Sequence, residues 1–261
     1  MKVKVFLYLG LLATTAVWGG AFLVMKDSLV RQDVYSFLAS RFILAAAFMF
    51  IYKPKSLTGL DRKFVKRAVL IGLLLCSGFI FQTFGLTQTT VSNTGFITGL
   101  YFISFNGISF GIGEILVLIS ALLFAGQIVA LGEWSDGENT YALTLIQILV
   151  SAVIFFALSL KDGFQLPPDN GVWSAVFYTA FFATFLGFLI QVKAQSVMSA
   201  TVAGVLLAME TPFAVFFGLY FDNDPLTLRI ISGGTLVLIA MALVIWSDSK
   251  HTNSGVNNSG K

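Results

Sequence analysis

Gln191–Glu210 reads QVKAQSVMSATVAGVLLAME: a helix end, a tight polar turn and a new helix start. The new helix carries a carboxylate, Glu210, about eleven residues in, near the depth of a bilayer midplane. An acid there costs ~2.5–3.5 kcal/mol on insertion scales, which marks it as a candidate functional group. The same unit occurs earlier as Gln82–Tyr101, QTFGLTQTTVSNTGFITGLY. Laying one on the other sets Gln191 on Gln82, Gly204 on Gly95 and Glu210 on Tyr101. A slightly different offset sets Tyr141 on Tyr35, Gln147 on Arg41, Gly126 on Gly20 and Glu133 on Asp27. The chain is therefore a duplicated one whose copies differ at the acid.

The 261 residues are 57% hydrophobic and only 11% charged, where soluble domains carry about 25% charged residues. Several apolar runs near twenty residues long make these helices in lipid. A barrel is excluded, because its strands would alternate polar and apolar residues. The net charge of +3 is no nucleic-acid signal, since the basic residues sit in one loop and the tails. A single cysteine, Cys76, excludes an intrachain disulfide, and the single histidine, His251, lies in the tail.

The runs predict nine spans. They are Val5–Met25, Tyr35–Tyr52, Ala68–Thr87, one from about Ser92, Glu114–Leu131, Tyr141–Leu160, Val172–Gln191, Ser199–Phe221 and Leu226–Trp246. Between spans two and three, Lys53, Lys55, Arg62, Lys63, Lys66 and Arg67 face only Asp61, which places that loop and the N-terminus in the cytoplasm. Nine crossings put the tail on the other side. No Asp, Glu, Lys or Arg occurs from Ala68 to Gly113. Phe102–Gly113, rich in Gly, Ser and Asn, reads as the weak point of the fold, with the gap beside it a place for a second copy of the chain. The polar tail, 248–261, reads as disordered.

The copies are unequal. Residues 1–112 form an incomplete first repeat, and 113–247 form the second. After Glu210 the second continues through Pro212 and another span. After Tyr101 the first has about eleven residues before span five. The fold class expected is an all-α polytopic membrane protein of two homologous inverted repeats, four helices plus five. Such repeats are a common transporter plan, with the site at the midplane between halves.

Six stretches in order are similar to the EamA family of the drug/metabolite transporter superfamily. They are TTAVWGGAFLVMK (Thr14–Lys26), SRFILAAAF (Ser40–Phe48), TVSNTGFITGLY (Thr90–Tyr101), LVLISALLFAGQ (Leu116–Gln127), MSATVAGVLLAMETPFAVFFG (Met198–Gly218) and ISGGTLVLIAMALV (Ile231–Val244). The resemblance implies a carrier of ten helices in two inverted repeats around a central cavity, with both termini cytoplasmic. This chain departs from that plan: the end of the fourth helix and the fifth are missing. An odd helix count also reverses the orientation expected of the second half.

Seven residues are candidates for the substrate site. Glu210 would hold a proton or a cationic group, with Arg41 and Gln191 as the partners other helices offer. Trp18, Tyr101, Gln127 and Tyr178 are side chains able to stack on or hydrogen-bond an amphipathic solute. Pro212 should free the carbonyl of Ala208 beside Glu210. Gly19, Gly20, Gly95 and Gly204 read as close-packing positions. No catalytic triad, phosphate loop or metal cluster is visible, so neither an enzyme nor a cofactor is expected. The expectation is a multi-pass inner-membrane carrier of small metabolites, working by alternating access without ATP. The alternative is a shortened, transport-incompetent paralogue acting as a membrane partner.

Overall fold

The computed structural model describes residues 2–99, 111–135 and 139–226, together with the single positions 231, 235 and 239. Among these, every regular element is helical. The first four are α1 (Lys2–Ser28), α2 (Val34–Tyr52), α3 (Arg62–Leu86) and α4 (Val91–Gly99). Next come α5 (Ile112–Trp134), α6 (Thr140–Ser159) and α7 (Asn170–Tyr178), which continues through a π-helical stretch, Thr179–Leu186, into α8 (Gly187–Gln195). The last are α9 (Ala200–Leu207) and α10 (Glu210–Phe221). Seven stretches are long and apolar enough to cross a bilayer: Val5–Ser28, Val34–Tyr52, Arg62–Leu86, Ile112–Trp134, Thr140–Ser159, Asn170–Gln195 and Ala200–Phe221. The chain is a multi-pass membrane protein. Most of the expected ninth span, the tail, Tyr101 and 102–110 of the expected weak point lie outside the described residues.

Polar residues at the starts of these helices fix where they begin. The carboxylate of Asp33 accepts the amide of Ser36, Asp61 those of Lys63 and Phe64, Asp169 that of Val172, and the Ser199 hydroxyl that of Val202. Each satisfies amide groups that a helix start leaves without a partner, which matters most near lipid. The hydrophobic faces then pack in pairs. α3 lies antiparallel along α5, with Arg67 over the Trp134 ring at one end and Gly113 against Gln88 at the other. α2 lies antiparallel to α6, with the Tyr141 hydroxyl donating to Met49 O and Phe42 edge-on to Phe155. α1 lies antiparallel to α7–α8 and parallel to α10, where Lys26 pairs with Asp222 at 2.7 Å.

Small residues set the closest approaches. Ala214 of α10 fills the notch between Gly19 of α1 and Gly95 of α4, where a Cβ on either glycine would collide with it. Packing of this kind substitutes for the hydrophobic effect between helices in lipid.

Of the fourth expected span, the described residues form α4. α4 and α5 start on the same face: Glu114 accepts hydrogen bonds from Thr89 (2.5 Å) and Asn93 (3.3 Å). The Ser92 amide donates to Asp224 just past the end of α10, and Thr211 donates to Gly95 O, so α4 runs antiparallel to α10. α5 therefore runs opposite to α1. Because α4 and α5 start on one face, the orientation of α5 is not the one an odd number of crossings requires.

Candidate functional site

Between these pairs lies a cavity enclosing about 710 Å³ of non-atom space, its open mouth included. α1 contributes Trp18, Ala21, Phe22 and Met25; α2, Arg41; α3, Phe79 and Gln82; and α4, Thr98. From the later helices come Phe124, Gln127 and Ile128 of α5, Phe188 and Gln191 of α8, Gly204 and Leu207 of α9, Ala208, and Glu210.

Each wall has an identifiable support. The Trp18 indole N–H donates to Ala183 O at 2.7 Å, and the ring tilts on Phe188 with centroids 5.3 Å apart. Ala183 belongs to the π-helical stretch, where the wider turn displaces carbonyls from the α-helical ladder; π segments are frequent at functional sites. Three amides form a buried chain: Gln191 Nε2 donates to Gln127 Oε1 at 3.3 Å, and Gln127 Nε2 donates to Gln147 Oε1 at 3.1 Å. On this assignment Gln191 Oε1 is buried without a hydrogen-bond donor. Gln82 Nε2 reaches the Thr98 hydroxyl at 3.3 Å.

The two charged groups come from different helices. Arg41 is only 2% exposed and does not snorkel. Its Nε donates to the Thr184 hydroxyl at 2.7 Å, Nη1 faces the Met25 sulfur at 3.4 Å, and its Cζ stands 4.7 Å from the Phe79 centroid. Glu210 is 9% exposed and opens α10. The span containing it breaks at Ala208–Met209, where Met209 N bonds Leu206 O and Thr211 N bonds Ala208 O, each three residues back. Pro212 has no N–H for the Ala208 carbonyl, and Thr211 takes that acceptor in a tighter turn. The break sets Glu210 at a helix N-terminus, where the helix dipole favours negative charge. Among the described residues no carboxylate lies within ion-pair distance of Arg41.

Residues 111–246 match the model of the EamA-like transporter family. The chain belongs to the EamA-like transporter family. It is also similar to a protein of Archaeoglobus fulgidus named an uncharacterized transporter, 29% identical over 269 aligned positions that cover 90% of this chain and 84% of that protein. With the membrane helices, this makes the chain a membrane transporter of that family.

Of the seven residues singled out in the sequence, Trp18, Arg41, Gln127, Gln191 and Glu210 meet at the cavity. Tyr178 does not line it; its hydroxyl donates to Val17 O and ties α7 to α1. Tyr101 lies outside the described residues. Gly204 is not a close-packing position either, since a Cβ there would meet nothing within 4 Å. It leaves room in the cavity wall. Phe79, Phe188, Gln82, Thr98 and Met25 are wall residues that sequence reasoning did not single out for the site. The repeat held the signal for two pairs, because the register setting Gln191 on Gln82 also sets Phe188 on Phe79.

Proposed function

We propose that this EamA-like transporter moves small amphipathic solutes across the cell's inner membrane by alternating access, without ATP, through the cavity between two inverted halves. The make-up of the wall carries the reading. Phe79 and Phe188, Gln82 and Gln191, and Trp18 and Phe124 are equivalent residues of the two copies, and each pair faces the same space. A site built from both copies is where rocking of one half against the other exposes a solute first to one side and then to the other. The helix pairing supports the inverted arrangement. α3 on α5 answers α1 on α7–α8, while α2 and α6 are an antiparallel pair of equivalent helices.

Two experiments test this. Purified chain in vesicles preloaded with a mixture of small amines, acids and zwitterions should release some of them. Gly204→Trp, which fills the free space in the wall, should stop the release while the protein still elutes as a folded species. Release equal to that of empty vesicles would favour the transport-incompetent reading, which draws its support from the short interval between Tyr101 and the start of α5. Reporters fused at Lys2 and at the tail test the topology. Lys26 of α1 meets Asp222 of α10, so those helices end on one face, and a crossing by Leu226–Trp246 returns the chain to the N-terminal side. Both reporters should be cytoplasmic, given the basic loop Lys53–Arg67. Reporters on opposite sides would restore nine crossings.

A further inference from the structure

We infer that the outer side of α3 binds one anionic phospholipid, its phosphate among Arg62, Lys63 and Lys66 and its acyl chains along Leu70 and Leu73. The cations on the two faces of the molecule differ. On the face opposite the basic loop, Lys26 pairs with Asp222, and Arg31 pairs with Asp169 and Asp27. On the basic face, Lys53 lies over the Tyr141 ring and Arg67 over the Trp134 ring, 5.5 and 5.4 Å from the centroids. Arg62, Lys63 and Lys66 are exposed, and among the described residues they have neither a carboxylate nor a ring against them. Asp61, the acid beside them, gives its carboxylate to the amides of Lys63 and Phe64. Glu133, near the end of α5, forms no ion pair with them. Three cations in the first turns of one helix repel each other and oppose its dipole, so helix stability does not select them. The rule that keeps basic residues in the cytoplasm would be met by charge anywhere in the loop. Here the cations continue a stripe that faces lipid.

Helical spacing sets Arg62, Lys66, Leu70 and Leu73 on one stripe, with Lys63 at its edge. The other sides of α3 are occupied. Arg67 and Gly78 meet Trp134 and Phe124 of α5, and Gly72 meets Val150 of α6. Leu70 and Leu73 remain exposed on the side left over. Tryptophan favours the membrane–water interface, so Trp134 marks the headgroup level, and Arg67 ties α3 to it. Lys66, the preceding residue, stands at that level too. Leu70 and Leu73 lie about 6 and 10 Å deeper at 1.5 Å per residue, among acyl chains, while Lys63 and Arg62 lie about 4–6 Å further out. A phosphodiester at Lys66 meets three cations and no competing acid. A phosphatidylcholine headgroup brings its own ammonium toward the same cations, so the charge selects an anionic lipid.

The test places the full chain in nanodiscs of phosphatidylglycerol and phosphatidylcholine, equal in amount and identical in acyl chains. Lipid retained after transfer to detergent is counted by native mass spectrometry. Phosphatidylglycerol should be retained at least tenfold over phosphatidylcholine and saturate at one per chain. Replacing Arg62, Lys63 and Lys66 together by Gln should bring the ratio below twofold. Lys66→Gln alone should lower it at least threefold, and serves if the triple variant does not fold. Lys161→Gln, on the opposite face, should leave it unchanged. Raising salt from about 0.1 M to about 1 M, which shortens the screening length from ~10 Å to ~3 Å, should shrink the preference of the native chain. In detergent, phosphatidylglycerol should raise the melting temperature, because a ligand of the folded state stabilises it. Inorganic phosphate at the same concentration should not. An equal rise with phosphate would reduce the patch to an anion site without a lipid. Equal retention of the two lipids by the native chain, or a ratio untouched by the triple variant and by Lys66→Gln, overturns the inference.

Discussion

The two halves of the molecule build the same wall and then depart from each other at a few places. Aromatic and amide residues recur in register: Phe79 with Phe188, Gln82 with Gln191, Trp18 with the ring of Phe124. The charges do not recur. Arg41 of the first half stands where the second has Gln147, and Glu210 of the second stands where the first has Tyr101. The helices carrying the wall differ too. α3 is α-helical throughout, whereas its counterpart contains the π-helical stretch that offers Ala183 O to Trp18 and Thr184 to Arg41. On the proposed reading, duplication supplies a cavity at the seam and divergence a polarity across it. A symmetric aromatic and amide wall has no preferred end, and the two charges give it one.

Erasing that polarity should have the largest effect. Arg41→Gln with Glu210→Tyr gives both copies the same residue types at these positions, and transport measured in vesicles should fall by at least tenfold while the protein still inserts and purifies. Transport within twofold of the native rate would mean that the difference between the halves serves no solute. The packing that both halves share at the seam comes next. Gly95→Val places a branched side chain where even a Cβ collides with Ala214, and overpacking of this kind costs roughly 1–3 kcal/mol. The folded yield by size-exclusion in detergent should drop, with partial recovery on adding Ala214→Gly. A smaller step tests the π-helical stretch. Trp18→Phe resembles Phe124 and removes the indole donor to Ala183, a loss of about 1 kcal/mol in midpoint stability. An unchanged melting temperature would show that the π-helical carbonyl needs no partner.

The smallest expected effect lies outside the membrane, at the contact between the α1–α2 loop and the start of α7. Arg31 pairs with Asp169 at 2.7 Å and also with Asp27. The amide of Val172, and then the Arg31 guanidinium, hold the Asp169 carboxyl below its ordinary value. A depressed carboxylate contributes stability above the ordinary aspartate range and loses it as pH falls through the lowered value. Asp169→Ala should therefore reduce the melting temperature slightly at pH 7, and the difference from the native chain should shrink below about pH 4. Both partners are solvent-exposed, so salt should weaken the effect. A difference that is constant with pH would assign the effect to backbone capping alone.

The sequence by itself determined the helices, the lipid environment and five of the residues that meet at the cavity. Each is written locally: long apolar runs, a basic loop, repeated glycines and glutamines, an arginine within a span and an acid near mid-depth. Only the tertiary structure decided the rest. Gly95 and Gly204 look alike in sequence, yet one is pressed against Ala214 and the other opens onto the cavity, because their helices have different neighbours. Tyr178 looked as suited to a solute as Trp18, but its hydroxyl is consumed by Val17 O, a bond that exists only once α7 lies across α1. The direction of α5 was decided in the same way, because the face on which it begins is set by the contacts of Glu114 with Thr89 and Asn93. Direction and enclosure belong to how helices meet, and a chain read one residue at a time records neither.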